Sequence, residues 1–422
     1  MMRFPPLMLF FLCPCLQAQT EGVDTPEVYD HWRNRVVQIQ VIDQQAQTKA
    51  ATGSGFFAGK PGWVLTNYHV IAGLANQPGQ YRARYLSDNG QSGSLELLSV
   101  DAVHDLAVLR AENLAPSPLY LAAQAPPRGS RLYSMGYPYD IGLSIVEGTY
   151  NGMLEKSLYE KLHFTGSINP GMSGGPTLDH SGEVVGVNVS TAGNQVSFLV
   201  PAQFAAALIN STRDQPVGEG ELNRSVTSQL LQNQEEISSR LLSVDIPTTQ
   251  LNGYRVPAAL APYISCWGDS EEDQPNELAR VYYDCQTQDD IFLADTLYTG
   301  VIRYQHDLLS TDQLHPLRFY RQLEEQSSYP QLYLEGEEKT VTNYRCHSDF
   351  VDHSEVTYKV SFCIRRYREF AGLYDSYLTL TSLVRNDEAL QSTLVLGGFS
   401  WDNIKKLSAR FIEAMSWSDP GS

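Results

Sequence analysis

Asn169-Pro170-Gly171-Met172-Ser173-Gly174-Gly175-Pro176 is the stretch of this sequence that decides its fold. Glycines on both sides of Ser173 allow turn conformations that other residues avoid, so the N–H groups of Gly171 and Ser173 can converge on one point while the serine hydroxyl faces outward. Such a serine is a candidate nucleophile, and the converging N–H groups are a candidate oxyanion hole. An ordinary glycine-rich hairpin would explain the string equally well, so the segment needs partners elsewhere in the chain.

Two other segments supply the partners that a nucleophilic serine needs. His69 follows the apolar run Trp63-Val64-Leu65-Thr66, at the end of a rigid strand, where a general base would be held in place. Asp105 comes directly before the apolar residues 106–109, where an unpartnered carboxylate would be costly and a paired one would fix the tautomer of the histidine. The order His69, Asp105, Ser173 is that of chymotrypsin and differs from that of subtilisin. Together the three segments predict a His-Asp-Ser triad.

Short runs of β-branched and aliphatic residues fill the chain from residue 36 to about residue 210. Examples are residues 36–41, 62–66, 183–189 and 197–200, which are separated by Gly, Pro, Asn and Asp. Many short strands at this spacing predict an all-β barrel or sandwich.

These motifs resemble those of the trypsin-like serine peptidases, and most of all their bacterial HtrA/Deg branch. The strings that carry the resemblance are Gly53-Ser54-Gly55-Phe56, Leu65-Thr66-Asn67-Tyr68-His69-Val70, Asp105-Leu106-Ala107-Val108-Leu109, Met135-Gly136-Tyr137-Pro138, residues 168–176 and Val185-Gly186-Val187-Asn188. The resemblance covers about residues 36–208, under half of the chain. It implies two six-stranded β-barrels with the triad between them, endopeptidase activity through an acyl-enzyme, no cofactor, and oxyanion donors at Gly171 and Ser173.

Two positions depart from the animal trypsins. Met172 stands where those enzymes carry the aspartate that pairs with a newly cut N terminus, so activation by such a cut is not expected. Ser167 stands where a trypsin would have the aspartate of its specificity pocket, which argues against cleavage after Lys or Arg and favours small or medium apolar side chains. Asn188, Val189 and Ser190 are expected to pair with the substrate backbone, although plain barrel structure would explain these strand residues equally well.

The chain beyond residue 208 shows no PDZ domain of the kind that the HtrA branch commonly carries. We predict a trypsin-like peptidase domain over residues 22–212, a helical linker over residues 213–248 and a C-terminal α+β domain of unknown function over residues 249–422. The linker follows from helical spacing of apolar residues. The last domain follows from alternating aromatic strands and a closing helix capped by Ser400.

Four of the six cysteines lie in the predicted C-terminal domain. An even number in an exported protein suggests disulfides. Of the three possible pairings, Cys266–Cys285 with Cys346–Cys363 is favoured because each pair brackets a plausible hairpin. No Cys-x-x-Cys or His-x-x-x-His spacing occurs, so we predict no metal site.

The N terminus and the overall charge indicate where the protein acts and on what. Residues 1–18 combine Arg3, a short apolar stretch and the small residue Ala18, which predicts a cleaved signal peptide, a periplasmic or secreted protein and no membrane span after cleavage. The formal net charge of −18 and the lack of a basic run oppose a nucleic-acid partner. The expected partners are protein or peptide substrates, and the sequence does not indicate an oligomeric state.

A non-enzymatic alternative stays open at this stage. The barrels could be an inactive scaffold whose C-terminal domain binds an envelope partner, although decay usually removes one catalytic residue and all three types are present. A serine esterase of the α/β-hydrolase type is disfavoured, because residues 171–178 do not resemble the strand–turn–helix that surrounds its nucleophile. We therefore predict an exported serine endopeptidase.

Overall fold

The computed structural model describes residues 25–191, 193, 195–271, 278–328 and 334–417, and the predicted signal peptide lies outside them. Helix α1 (Thr25–Trp32) leads into the first of two closed barrels. Among the described residues, no helix combines the length and the apolar character that crossing a membrane requires.

The first barrel has six antiparallel strands in the order β1-β2-β3-β6-β5-β4. Its strands are β1 (Val36–Asp43), β2 (Thr48–Phe57), β3 (Trp63–Thr66), β4 (Tyr81–Ser87), β5 (Ser92–Asp101) and β6 (Leu106–Ala111). In β4 the side chains alternate, so Ala83 and Tyr85 are buried and their neighbours are exposed, as expected for a strand with one face on a core. Helix α2 (Tyr68–Asn76) follows β3 directly.

The second barrel also closes with six strands, in the order β10-β11-β12-β9-β8-β7. They are β7 (Arg131–Gly136), β8 (Ser144–Met153), β9 (Leu162–Phe164), β10 (Pro176–Leu178), β11 (Val184–Thr191) and β12 (Ser197–Pro201), and helix α3 (Ala202–Ser211) follows. Two closed six-stranded antiparallel barrels are the chymotrypsin-like fold, so the predicted fold class is confirmed.

Helix α4 (Glu219–Leu242) covers most of the predicted linker. Its buried apolar residues recur every four or seven positions and therefore form one stripe along the helix; they are Leu222, Val226, Leu230, Ile237 and Leu241. This stripe belongs to a continuous core that contains first-barrel residues such as Val100 and C-terminal residues such as Leu394. The helix thus packs against both parts of the chain, and the predicted domain boundaries stay a prediction.

The C-terminal part is built on a seven-stranded antiparallel sheet in the order β15-β16-β19-β23-β22-β21-β20. Two small sheets accompany it. One consists of β13 (Thr248–Leu251), β14 (Tyr254–Pro257) and β24 (Ser416–Trp417), and the other of β17 (Ile291–Ala294) and β18 (Leu297–Thr299). The strands of the large sheet are β15 (Ile264–Glu271), β16 (Ala279–Thr287), β19 (Val301–Ser310), β20 (Arg345–His353), β21 (Val356–Arg366), β22 (Tyr374–Ser382) and β23 (Glu388–Phe399). Helices α5 (Pro316–Ser328) and α6 (Trp401–Glu413) complete the α+β unit.

Both predicted disulfides are present, one at each edge of this sheet. Cys266 of β15 lies opposite Cys285 of β16, and Cys346 of β20 lies opposite Cys363 of β21. Each disulfide therefore joins an edge strand to its inner neighbour.

Candidate active site

His69 and Asp105 are held together in the cleft between the barrels. His69 is the second residue of α2, immediately after β3, and Asp105 lies in the turn between β5 and β6. The Asp105 carboxylate contacts the His69 Nδ1 at 2.6 Å and accepts a hydrogen bond from the His69 backbone N–H at 2.8 Å. The Asn67 amide donates to the Asp105 carbonyl oxygen at 2.8 Å. This arrangement fixes the ring on its backbone and leaves Nε2 as the nitrogen that can take up a proton.

Asp105 adopts a left-handed backbone conformation, with φ of 55°. Aspartate is among the few residues other than glycine that adopt this region readily. The conformation turns the chain sharply at the head of β6, whose residues Leu106 to Leu109 are buried.

The electrostatic surroundings of His69 keep its base strength above that of a free imidazole. Burial lowers the pKa of His69, but the charge of Asp105 and the hydrogen bond that its carboxylate accepts from the ring raise it, and the net effect is a pKa above the ordinary value of 6.5. A carboxylate beside a histidine stabilises the imidazolium, as a general base requires.

The loop that carries Ser173 depends on two glycines with positive φ, Gly171 at 97° and Gly174 at 82°. A Cβ at Gly171 would collide with the Tyr137 carbonyl oxygen, and one at Gly174 would collide with the Ser54 carbonyl oxygen and the Thr66 hydroxyl. The glycines predicted from sequence to shape the loop are therefore required by both backbone angle and space.

The same loop lies directly against the segment that carries His69. A Cβ at Gly174 would also reach to 2.9 Å from the Asn67 backbone nitrogen, and one at Gly53 would touch both the Val70 side chain and the Ser173 carbonyl oxygen. The Ser54 N–H donates to the Ser173 carbonyl oxygen at 2.8 Å. The loop that carries Ser173, in the second barrel, therefore packs against the segments of the first barrel that carry Ser54 and His69.

The hydrogen bond of the Ser173 hydroxyl goes to the Val189 carbonyl oxygen at 3.3 Å. Val189 is the extra residue of a β-bulge in β11, between Asn188 and Ser190. Bulges commonly redirect a backbone group beside an active site. Within the part of the chain that the structure describes, the N–H groups of Gly171 and Ser173 donate to no protein acceptor.

Asn188 has a role that the sequence did not indicate. Its buried side chain accepts hydrogen bonds from Ser134 and Thr177 and donates to the Met135 and Met172 carbonyl oxygens. Its own N–H donates to the Gly175 carbonyl oxygen, and its carbonyl oxygen accepts from the Gly174 N–H, both at 2.9 Å. Asn188 therefore braces the nucleophile loop, and its predicted pairing with a substrate backbone stays a prediction.

Ser167 and the backbone of Ser190 lie in segments of the second barrel. Ser167 is half-buried in the segment that leads from β9 towards the nucleophile loop, and Ser190 pairs with Phe198 of β12. Their predicted roles in substrate binding stay predictions.

Ser54 is a further residue of the site that the motif contained but that sequence reasoning passed over. Its fully buried hydroxyl donates to the Gly171 carbonyl oxygen at 2.7 Å and accepts from the Tyr137 N–H at 2.9 Å. It thereby ties the first barrel to the nucleophile loop of the second. The signal was present in Gly53-Ser54-Gly55, where a lone hydroxyl stands between glycines in an otherwise apolar strand end.

The C-terminal part also reaches this cleft. The Phe292 ring of β17 meets the His69 ring edge-on, with 6.2 Å between centroids. The cleft is lined by His69, Asp105 and Val189 on the barrel side and by Asp290, Phe292, Asp295 and Tyr298 on the other. No local pattern in the sequence could have brought these segments together, because about 200 residues separate them.

Comparison with known proteins agrees with this geometry. Residues 53–187 match the family model described as a trypsin-like peptidase domain. The chain is 25% identical to "Protease Do-like 1, chloroplastic" of Arabidopsis thaliana over 65% of this chain and 69% of that protein. It is 29% identical to a "Probable periplasmic serine endoprotease DegP-like" of a Marinomonas species, over 46% of this chain and 41% of that protein.

Among solved structures, the crystal structure of Deg5 is 30% identical and superposes with a TM-score of 0.38, over 43% of this chain and 90% of that one. The chain spans about two thirds of the first curated relative and about two fifths of the second. The curated relatives are named as proteases or serine endoproteases. Residues 53–187 therefore match a trypsin-like peptidase domain, and this part of the chain is similar to proteases named Do-like, DegP-like and HTRA2.

Proposed function

We propose that the protein is a serine endopeptidase in which Ser173 is the nucleophile, His69 the general base and Asp105 the residue that orients the histidine. The observation that carries the proposal is the pair of bonds from the Asp105 carboxylate to the ring and the backbone of His69, next to a glycine-framed serine. A carboxylate–imidazole pair beside an accessible hydroxyl is the arrangement that activates a serine.

The chemistry proceeds in two halves. The Ser173 hydroxyl turns from the Val189 carbonyl oxygen towards His69, gives its proton to Nε2 and attacks the scissile carbonyl carbon, while Asp105 stabilises the imidazolium. The tetrahedral intermediate collapses when His69 returns the proton to the leaving amine, which leaves an acyl-enzyme on Ser173. Water, deprotonated by His69, then hydrolyses the ester and frees the serine.

The oxyanion that forms in both halves is bound by the N–H groups of Gly171 and Ser173. Each such donor contributes about 3 kcal/mol to the stabilisation of the transition state. Because the loop is already held by Ser54 and Asn188, little reorganisation is needed as charge develops.

Proteins or peptides are the proposed substrates, and the enzyme acts outside the cytoplasm. An extended peptide would pair with β11 at Val189 and Ser190, and Ser167 would favour a small or medium apolar residue before the scissile bond. The two disulfides suit an oxidising compartment. The Marinomonas relative is named as periplasmic, so we propose export by the predicted signal peptide to the periplasm or beyond.

Labelling with a fluorophosphonate probe tests the proposal. The folded protein should be labelled on Ser173, Ser173→Ala should not be labelled, and His69→Ala should react far more slowly. Ser117→Ala, at an exposed position outside the site, is the matched control and should react like the wild type. If the folded protein is not labelled, or if His69→Ala reacts at the wild-type rate, the roles proposed for the three residues are wrong. Such a result would support the alternative in which the barrels are an inactive scaffold.

A further inference from the structure

A β-hairpin of the C-terminal part forms one wall of the catalytic cleft. The hairpin consists of β17 and β18 with the residues between them. We call residues 290–298, which include most of this hairpin and the residue before it, the cleft wall. Ile291, Leu293 and Leu297 are buried in the core that the hairpin shares with the first barrel. Because strand side chains alternate, Phe292 and Tyr298 point the other way, into the cleft.

The cleft wall is fastened to both barrels. At the first barrel, the Asn76 amide at the end of α2 donates to the Leu293 carbonyl oxygen at 2.8 Å. At the second barrel, the buried Asp289 carboxylate accepts from the Ser157 hydroxyl and the Leu158 N–H, both at 2.7 Å, and pairs with Lys161 at 2.5 Å. The wall is therefore anchored at Leu293 and, next to its first residue, at Asp289, and these contacts hold it beside His69.

The chemistry of the wall is that of a cation site. The Phe292 and Tyr298 rings lie 5.5 Å apart in an edge-to-face arrangement, and Tyr298 is 40% exposed. Two carboxylates, Asp290 and Asp295, line the same cleft. Aromatic faces attract cations and also cover the aliphatic stem of a lysine or an arginine, while carboxylates pair with its charged end.

Other carboxylates hold most of the positive charges of the cleft, although the charge of Lys161 also acts on Asp290, whose pKa is raised by burial. Lys161 is taken by Asp289, His104 is paired with Asp101 at 2.7 Å, and His69 is paired with Asp105. Among the described residues, Asp290 and Asp295 form no ion pair, and the cleft gains a third carboxylate from Glu160. The wall therefore offers net negative charge to whatever enters.

We propose that the cleft wall binds a lysine or arginine side chain of the substrate, on the acyl side of the scissile bond, between Phe292, Tyr298, Asp290 and Asp295. The cleft reaches from His69 to Val189, and Val189 lies in the strand with which the acyl side of a peptide is expected to pair. The basic side chain that we propose at the wall differs from the substrate residue that would face Ser167, which is expected to be small or medium-sized and apolar. The inference rests on the proposed peptidase function and names part of its substrate class.

Peptide cleavage measures the selectivity. Quenched fluorescent peptides share one apolar residue before the scissile bond and carry Lys, Arg, norleucine, Ala or Glu at each of the three positions upstream. We expect kcat/KM to be at least about tenfold higher for Lys or Arg than for norleucine at one of these positions, which corresponds to about 1.4 kcal/mol. The ratio should fall as salt rises from about 0.05 to 0.5 M, because partly exposed charges are screened.

Charge-matched variants assign the effect to the wall. In Asp290→Asn/Asp295→Asn the ratio of Lys to norleucine should drop towards one, whereas Asp312→Asn/Asp349→Asn, which removes two carboxylates outside the cleft, should keep the wild-type ratio. Phe292→Leu should reduce the ratio for Arg and Lys by removing the ring. Equal ratios in the wild type and in Asp290→Asn/Asp295→Asn, or no preference in the wild type, would overturn the proposal.

A binding assay separates this proposal from the proposed function. The same peptides, dye-labelled, are titrated into Ser173→Ala, and fluorescence anisotropy gives Kd without any chemistry. Basic peptides should bind more tightly than the others, and this difference should be lost when Asp290→Asn/Asp295→Asn is added. That result supports the wall as a cation site even if the protein does not react with fluorophosphonate. If all peptides bind with the same Kd, the proposed cation site is wrong, and the proposed catalytic roles of the three residues are not affected.

Discussion

Asp105 contacts His69 at two points, so its carboxylate sets both the orientation of the imidazole and the pKa of its ring. Because 21% of the Asp105 side chain is exposed, a substitution at this position should leave the protein folded. Its effects on the orientation and the pKa of His69 can then be measured in the folded protein. A nearby pair of the same chemistry, His104 with Asp101, offers an internal comparison.

Asp105→Asn should change both the rate and its pH dependence. A histidine base works when it is neutral, so kcat/KM of the wild type should fall as the pH decreases through a His69 pKa above 6.5. Without the carboxylate only the effect of burial remains, and the midpoint should move to lower pH. The rate should drop by about 10⁴, because the amide favours the wrong tautomer of the ring.

Profiles of kcat/KM against pH test this expectation, with Asp101→Asn as the control, since that substitution removes a similar pair outside the triad. The control should keep the wild-type midpoint. A midpoint in Asp105→Asn that equals the wild-type value contradicts the role given to the carboxylate.

Ser54→Ala should weaken catalysis without touching any reacting group. The substitution leaves the Gly171 carbonyl oxygen and the Tyr137 N–H without their partner, which should cost about 1–3 kcal/mol in the free energy of unfolding. We expect kcat to fall more than KM rises, since the loop that presents the oxyanion donors loosens. Urea unfolding and steady-state kinetics measure the two effects, and unchanged kcat in a destabilised Ser54→Ala would show that the hydroxyl serves stability alone.

Among the elements of the fold, those that depend on local sequence could be predicted, but the surfaces that they pack against could not. The glycines around Ser173, the turn before β6 and the two disulfide-bearing hairpins could be read from the sequence, because each depends on residues close together in the chain. The resemblance to a known family, rather than periodicity, supplied two barrels instead of a generic β structure. Helix α4 was predictable as an amphipathic helix, but an apolar stripe does not state which surface it covers.

Two residues of the candidate site show why the rest could not be predicted. Both residues contact partners on other elements. Asn188 donates to the Met172 carbonyl oxygen, and the Phe292 ring contacts the His69 ring. Nothing in the neighbouring sequence distinguishes such a buried amide from any strand residue, or such a phenylalanine from a core residue. Contacts of this kind are consequences of the closed barrels and of how the C-terminal part packs on them.

The edge hairpin β20–β21 should depend on its disulfide more than the centre of the sheet does. Nearly all of β20 is exposed, whereas β23 is buried along almost its whole length. A disulfide that closes a loop of this size contributes about 3 kcal/mol. Hydrogen exchange measured by mass spectrometry tests this in Cys346→Ala/Cys363→Ala. Exchange should accelerate across residues 345–353 and stay slow in β23. Equal protection of β20 with and without the disulfide would contradict the expectation.

At the scale of the whole molecule, packed contacts connect the peptidase barrels to the C-terminal part. One apolar cluster runs from the first barrel through α4 to the large sheet, and Asp289 adds a polar link from the C-terminal part to the second barrel. We therefore expect the peptidase barrels and the C-terminal sheet to unfold together.

Asp289→Ala should destabilise the whole protein. The substitution leaves Lys161, the Ser157 hydroxyl and the Leu158 N–H without their shared acceptor, and breaking a buried pair from one side costs about 3–5 kcal/mol. Urea unfolding followed by tryptophan fluorescence and by loss of fluorophosphonate labelling should give coincident curves, both shifted. Asp402→Ala, which removes an exposed pair with Lys405, should shift neither; separate transitions would show that the two parts fold independently.

The cleft wall has a consequence for the order in which activity arises during synthesis. Ser173 completes the catalytic residues early, but Phe292 and Tyr298 follow more than one hundred residues later. A chain growing from its N terminus therefore contains the proposed catalytic residues before it contains the proposed cation site. The preference for a basic side chain that we propose for this wall can therefore arise only when the C-terminal sheet has folded.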